Sequence, residues 1–145
     1  MRIVIAAVGK VKDRPLREAI DEYAGRVRRY CAVDEIEIPD SPPERVRAGF
    51  EKACRDATVV AMEVNGQALS SEAFAKTLER FGARGKGTVA FLIGGADGLP
   101  PELSAAAHAR ISLSTLTFPH RLARLVLIEQ IYRAMTILRN EPYAH

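Results

Sequence analysis

The chain has 145 residues, of which 48% are hydrophobic and 27% charged, and it carries a net charge of +3. This is volume enough for one domain, residues 1–145, with a real core, and it excludes a disordered chain. The mild basicity permits a nucleic-acid partner without demanding one. Cys31 and Cys54 have neither metal-site nor redox spacing and read as reduced thiols of a cytoplasmic protein. No window approaches the length of a membrane span.

Residues 2–8 form an apolar run suited to an interior parallel strand, ended by Gly9. Asp13 and Pro15 open a helix that reaches about Tyr30. A second strand, Val33 to Ile38, has acidic residues interleaved, and Pro42–Pro43 start a helix running through Arg55. Thr58 to Val64 is an apolar, β-branched strand, followed by a turn at Asn65–Gly66. Ser70 or Ser71 caps a helix from Glu72 to Phe81. Thr88 to Ile93 is the fourth strand, Pro100–Pro101 open a short helix through Ala107, and Arg110 to Leu113 is the fifth strand. A long helix then runs to about Leu138. Strands alternating with helices predict an α/β fold, a mainly parallel sheet with helices on both faces. The last helix is apolar around more of its circumference than one sheet contact needs. A twofold dimer and a central core helix explain that coverage equally well.

In FLIGGADGLPPEL, residues 91–103, a buried strand runs into Gly94–Gly95. Ligands of open α/β sheets sit beyond the carboxyl ends of strands, where glycine allows close backbone approach; a plain tight turn uses the same pair. Two further strand ends share this character, MEVNG at 62–66 and LSTLTFP at 113–119. If the three strands are neighbours, Met62, Leu113, Leu116 and Phe118 make an apolar rim with hydroxyls from Ser114, Thr115 and Thr117. That rim has almost no positive charge until His120 and Arg121. It suits an adenine and a sulfonium better than a phosphate-rich ligand, which wants a helix N-terminus or a lysine. Arg121 and Arg124 share a face of the last helix, with Arg133 further along, and could contact phosphates or form a solvated surface. In the tail, Tyr143 could stack on a base and His145 could carry a proton. No spacing supports a metal site.

The sequence resembles the SPOUT-class RNA methyltransferases, and within them the RlmH family of 23S ribosomal RNA pseudouridine N3-methyltransferases. The resemblance spans the whole chain, from IVIAAVGK through VVAMEVNGQALSSEAFA, FLIGGADGLPPEL and ISLSTLTFPHRLARLVLIEQIYRA to NEPY. It implies a deep trefoil knot in the C-terminal part, which general topology rules would have excluded. It implies S-adenosylmethionine as methyl donor, with no metal, held by Met62, Gly94, Gly95 and the run Leu113, Ser114, Thr115, Leu116, Thr117 and Phe118. It also implies a homodimer whose site draws on both protomers. The implied substrate is a pseudouridine in the helix 69 stem-loop of 23S ribosomal RNA, methylated in the assembled ribosome; no DNA or membrane partner is expected. Two departures stand out. Met62 replaces a common leucine, a mild change in shape, and Ala144 separates Tyr143 from His145 where relatives have the pair adjacent.

Methyl transfer to a ring nitrogen needs nitrogen, methyl carbon and sulfur in line, and a group that takes the N3 proton. Tyr143 and His145 are the expected catalytic residues, with His120, Arg121, Arg124 and Arg133 expected on the RNA. Two other readings fit the same chain: an RNA-binding assembly factor of this fold without chemistry, and a flavodoxin-like nucleotide module. The intact donor loop opposes the first; the missing phosphate-loop glycines after the first strand oppose the second.

Overall fold

The computed structural model describes residues 1–143. Strand β1 (Arg2–Val8) leads into α1 (Arg14–Val27), β2 (Ala32–Ile38) and α2 (Pro43–Ala53). Next come β3 (Thr58–Ala68), α3 (Ser71–Gly82), β4 (Thr88–Ile93), α4 (Pro101–Ala106), β5 (Ala109–Ser112) and α5 (His120–Leu138). The strands lie in the order β2-β1-β4-β3-β5, and every pairing is parallel.

Alternation along each strand sends successive side chains to opposite faces. Ile3, Ile5, Val89 and Phe91 enter one cluster with Ile20 of α1, Leu78 of α3 and Leu127 and Ile131 of α5. Ala6, Ala61 and Leu92 enter another with Phe50 of α2 and Leu99. Helices therefore cover both faces, and β4, buried from Val89 to Ile93, shows why a central parallel strand reads as an unbroken apolar run. Helix α3 begins where its sequence indicates, the Ser70 hydroxyl accepting a hydrogen bond from the Ala73 amide at 3.1 Å.

Helix α5 packs between α1 and α3, so most of its wide apolar coverage is spent within the protomer. A stripe remains open: Leu122 is 40% and Ile137 37% exposed, with Val126, Glu129 and Arg133 half-buried between them.

Two boundaries differ from the sequence reading. Helix α1 stops at Val27 because Arg28–Tyr30 form a turn, the Tyr30 amide donating to the Val27 carbonyl at 2.8 Å. Strand β3 continues to Ala68 instead of turning at Asn65–Gly66. Met62 and Gln67 both pair with Ile111, so residues 63–66 swing out of the ladder and the strand resumes beyond them. Gly66 is needed there for closeness: a Cβ would lie 2.8 Å from the Arg110 carbonyl carbon.

The strand order puts β4, β3 and β5 side by side at one edge. Their carboxyl ends are the FLIGGADGLPPEL, MEVNG and LSTLTFP segments.

Candidate active site

At the end of β4 the chain folds back on itself. The Gly98 amide donates to the Gly95 carbonyl at 3.0 Å, and Gly98 adopts a φ of +76°. A Cβ at Gly94 would stand 2.4 Å from the Gly98 carbonyl carbon, and one at Gly95 would press on Val8 at 3.2 Å. The glycine pair thus serves first to close this loop against itself and against β1; the closed loop then presents its backbone to the space beyond.

That space is a cavity of about 400 Å³ between the three strand ends. Met62 lines it from β3, Gly94 and Gly95 from the β4 loop, and Leu113, Ser114, Leu116, Thr117 and Phe118 from the segment after β5. Thr115 does not line it: the Ser114 hydroxyl accepts from the Leu116 amide at 3.0 Å, and this turn leaves Thr115 exposed at its apex. The Ser112 hydroxyl braces the same turn, donating to the Ser114 carbonyl at 2.8 Å. Leu116, 72% exposed, forms an apolar lip. The walls hold no lysine or arginine, one carboxylate, Glu63, and one imidazole, His120. The sequence reading missed Glu63, Val64, Ile93, Ala96, Gly98, Leu99, Pro119 and Ala123; of these Glu63 left a signal, as a carboxylate beside Met62 in the same strand exit.

The volume falls within the range of small-molecule sites, roughly 300–1,000 Å³. Apolar walls, free backbone from a glycine loop and the lack of lysine or arginine suit an adenine and a sulfonium; among the lining residues, the first turn of α5 at Pro119 and His120 is the feature that would favour a phosphate. A larger hollow, about 800 Å³, lies across the same loop and shares Gly95, Gly98 and His120 with the first. Asp40, Glu44, Glu51, Asp97 and Glu102 line it, with Arg47 already paired to Glu51 at 2.8 Å. Such acidity repels nucleic-acid phosphates.

The basic residues divide sharply. His120 lines both hollows, and Arg121 beside it is exposed. Arg124 is 1% exposed and cannot meet RNA in this conformation. Its guanidinium donates to Glu35, to Glu37 at 2.7 Å and to the Gly9 carbonyl at 3.1 Å, which ties α5 to β2 and to the loop after β1. The sequence reading expected Arg124 on RNA; here, one helical turn past Arg121, its side chain is turned into the protomer instead. Burial alone would raise the Glu35 carboxyl, but hydrogen bonds and charge from Arg17 and Arg124 outweigh it and hold that group below the ordinary range. Arg133 is occupied as well, paired to Glu129 at 3.1 Å and lying 4.0 Å over the Tyr143 ring.

Tyr143 does not line the cavity. Its hydroxyl donates to Glu129 at 2.7 Å, and its ring lies 5.1 Å from that of Tyr132. Burial first, then hydrogen bonds to Glu129 and Tyr23, push its phenol far above the ordinary tyrosine range, and in this conformation the hydroxyl is a donor to Glu129. His145 lies outside the described residues. Among the described residues no group of three or more His, Cys, Asp or Glu could hold a metal ion, and no helix is long and apolar enough to cross a membrane.

This arrangement has close counterparts. A family model described as "Predicted SPOUT methyltransferase" matches residues 1–145. A Sorangium cellulosum protein named ribosomal RNA large subunit methyltransferase H is 70% identical over 145 residues, covering 100% of both chains. A protein of the same name from Exiguobacterium sibiricum is 41% identical, covering 99% of each. Among solved structures, one described as a "probable methylase family protein" of Haemophilus influenzae superposes with a TM-score of 0.60 at 14% identity, over 99% of this chain and 70% of that one. TrmJ from Z. mobilis gives 0.59 at 15% identity, over 100% and 73%. These two speak for the fold, and the family model and the full-length relatives settle the lineage: the chain belongs to the SPOUT methyltransferase family.

Proposed function

We propose that this chain methylates large-subunit ribosomal RNA from S-adenosylmethionine, and that the acceptor is N3 of a pseudouridine in the helix 69 stem-loop of 23S RNA within the assembled ribosome. The name shared by its full-length relatives supports the ribosomal RNA. The observation that carries the donor assignment is the cation-free apolar cavity where three neighbouring strands end.

The donor supplies a methyl group already activated on a sulfonium, so the protein's task is placement and proton removal. Met62, Leu113, Leu116 and Phe118 wall the cavity and keep water from the methyl group. Gly94 and Gly95 would offer backbone to a bound nucleoside, and Ser114 and Thr117 hydroxyls. The N3 proton needs an acceptor, and the imidazole lining the cavity is that of His120. Arg121, with Lys10, Lys12 and Arg14 exposed beyond β1, provides phosphate contacts.

Tyr143, braced by Arg133, anchors the tail on its own protomer. Helix α5 is about 28 Å long at 1.5 Å per residue, and Tyr143 docks midway down it, away from the cavity at its start. A tail that serves the chemistry therefore serves a second protomer. The open stripe of Leu122, Val126 and Ile137 supports a homodimer on this face. The C-terminal knot and a cytoplasmic setting belong to the same family reading.

The test is to incubate the full chain with whole ribosomes and methyl-labelled donor, then map the label by mass. The reading expects one labelled pseudouridine in 23S RNA. Label elsewhere refutes the acceptor; saturable donor binding with no label anywhere marks an assembly factor instead.

A further inference from the structure

Glu63 is the one carboxylate in the wall of the cavity. It stands where β3 leaves its ladder, first in the excursion between Met62 and Gln67, so pairing with β5 does not dictate its place. It is half-buried, and among the described residues no hydrogen bond or ion pair engages it. A carboxylate drawn partly out of water beside Met62, Ile93 and Leu113 is unfavourable by itself and becomes favourable once a cation joins it.

The donor carries a sulfonium, an ammonium and a carboxylate, for a net charge of +1. After transfer the sulfonium has become a neutral thioether and the net charge is zero. A fixed negative charge in a cation-free cavity therefore sees a different ligand before and after the reaction. We infer that Glu63 is the residue by which this protein tells the charged donor from its spent thioether product, favouring entry of the first and release of the second. The inference rests on the donor assignment made above.

It is tested by calorimetric titration of the full chain with S-adenosylmethionine and, separately, with S-adenosylhomocysteine. Wild type, Glu63→Gln and Glu63→Asp are compared, with thermal unfolding as a check on folding. Glu63→Gln is expected to weaken donor binding about tenfold and to leave product binding within about twofold, the scale of one partly buried charge contact. Glu63→Asp is expected to keep the preference for the charged ligand. Equal weakening of both ligands would assign Glu63 to an uncharged part of the nucleoside and overturn the inference, as would an unchanged donor affinity. If wild type binds neither ligand, the donor assignment itself fails, an outcome separate from any effect of the substitution.

Discussion

Arg124 offers the sharpest test of the physical account, because sequence and structure assign it opposite roles. Replacing it with methionine keeps an unbranched apolar stem and removes the guanidinium with its charge. Glu35 and Glu37 then lose a partner, and the Gly9 carbonyl loses a donor. Breaking a fully buried pair by removing one member costs about 3–5 kcal/mol. Here the carboxylate side chains are 17% and 27% exposed and both keep contact with Arg17, which points to the low end, about 3 kcal/mol. The Arg124 Nε, buried without a partner among the described residues, works in the same direction, since its loss relieves a small existing penalty. For a chain of this size, about 3 kcal/mol lowers the melting temperature by about 10 °C.

Differential scanning calorimetry at neutral pH measures that shift. A double-mutant cycle with Glu35→Gln isolates the pair, with an expected coupling of about 2 kcal/mol. The pH dependence has a definite sign. The folded-state value of Glu35 is depressed, so its contribution is present above the unfolded carboxyl value, about 4.3, and is lost as pH falls through the lower folded value. The coupling should therefore fade only in acid. A shift under about 3 °C, with RNA binding weakened and its salt dependence reduced by about one charge, would refute the structural role and restore Arg124 to the RNA.

The site and the core supply two further outcomes. Gly94→Ala should fold but lose donor affinity by more than about tenfold, because the loop must open to relieve a 2.4 Å clash with Gly98; calorimetry with the donor checks it, and wild-type affinity would show that the closed loop is dispensable. Cys54, its thiol raised to about 11 chiefly by burial and further by Glu51, should react with iodoacetamide at pH 8 about two orders of magnitude more slowly than a free cysteine; equal rates would mean that α2 opens readily.

Much of the fold was legible because parallel strands covered on both faces are short apolar runs with clear stops. Thr88–Ile93 was read to the residue, and the three strand ends that meet at the cavity were named from glycines, hydroxyls and apolar side chains. What could not be read was long-range. Neither Gly66 nor Gly94 is explained by local turn chemistry; each is required by another stretch of backbone pressing against it, and no window of sequence contains that neighbour. The same holds for α5. A helix between two others and a helix at a dimer interface produce the same apolar coverage, and only the packing against α1 and α3 divides it into what is spent and the stripe left open.

The burial of Arg124 has a signal in the strand that α5 covers. Glu35 and Glu37 are two apart on a strand and so share a face with Val33, which is buried in the cluster that includes residues of α1 and α5, while Ile36 and Ile38 take the other face. Two carboxylates pointed into a helix-covered face require cations on the covering helices. Helix α1 supplies Arg17, and of the basic residues on α5 only one lies deep enough to serve. Arg121 and Arg124 are about 60° apart on a helical wheel, so azimuth alone does not separate them. Depth does: Arg121 stands where α5 is just emerging from the loop, and Arg124, one turn on, has the sheet above it. Charge on the helix is thus read correctly only together with charge on the strand it covers.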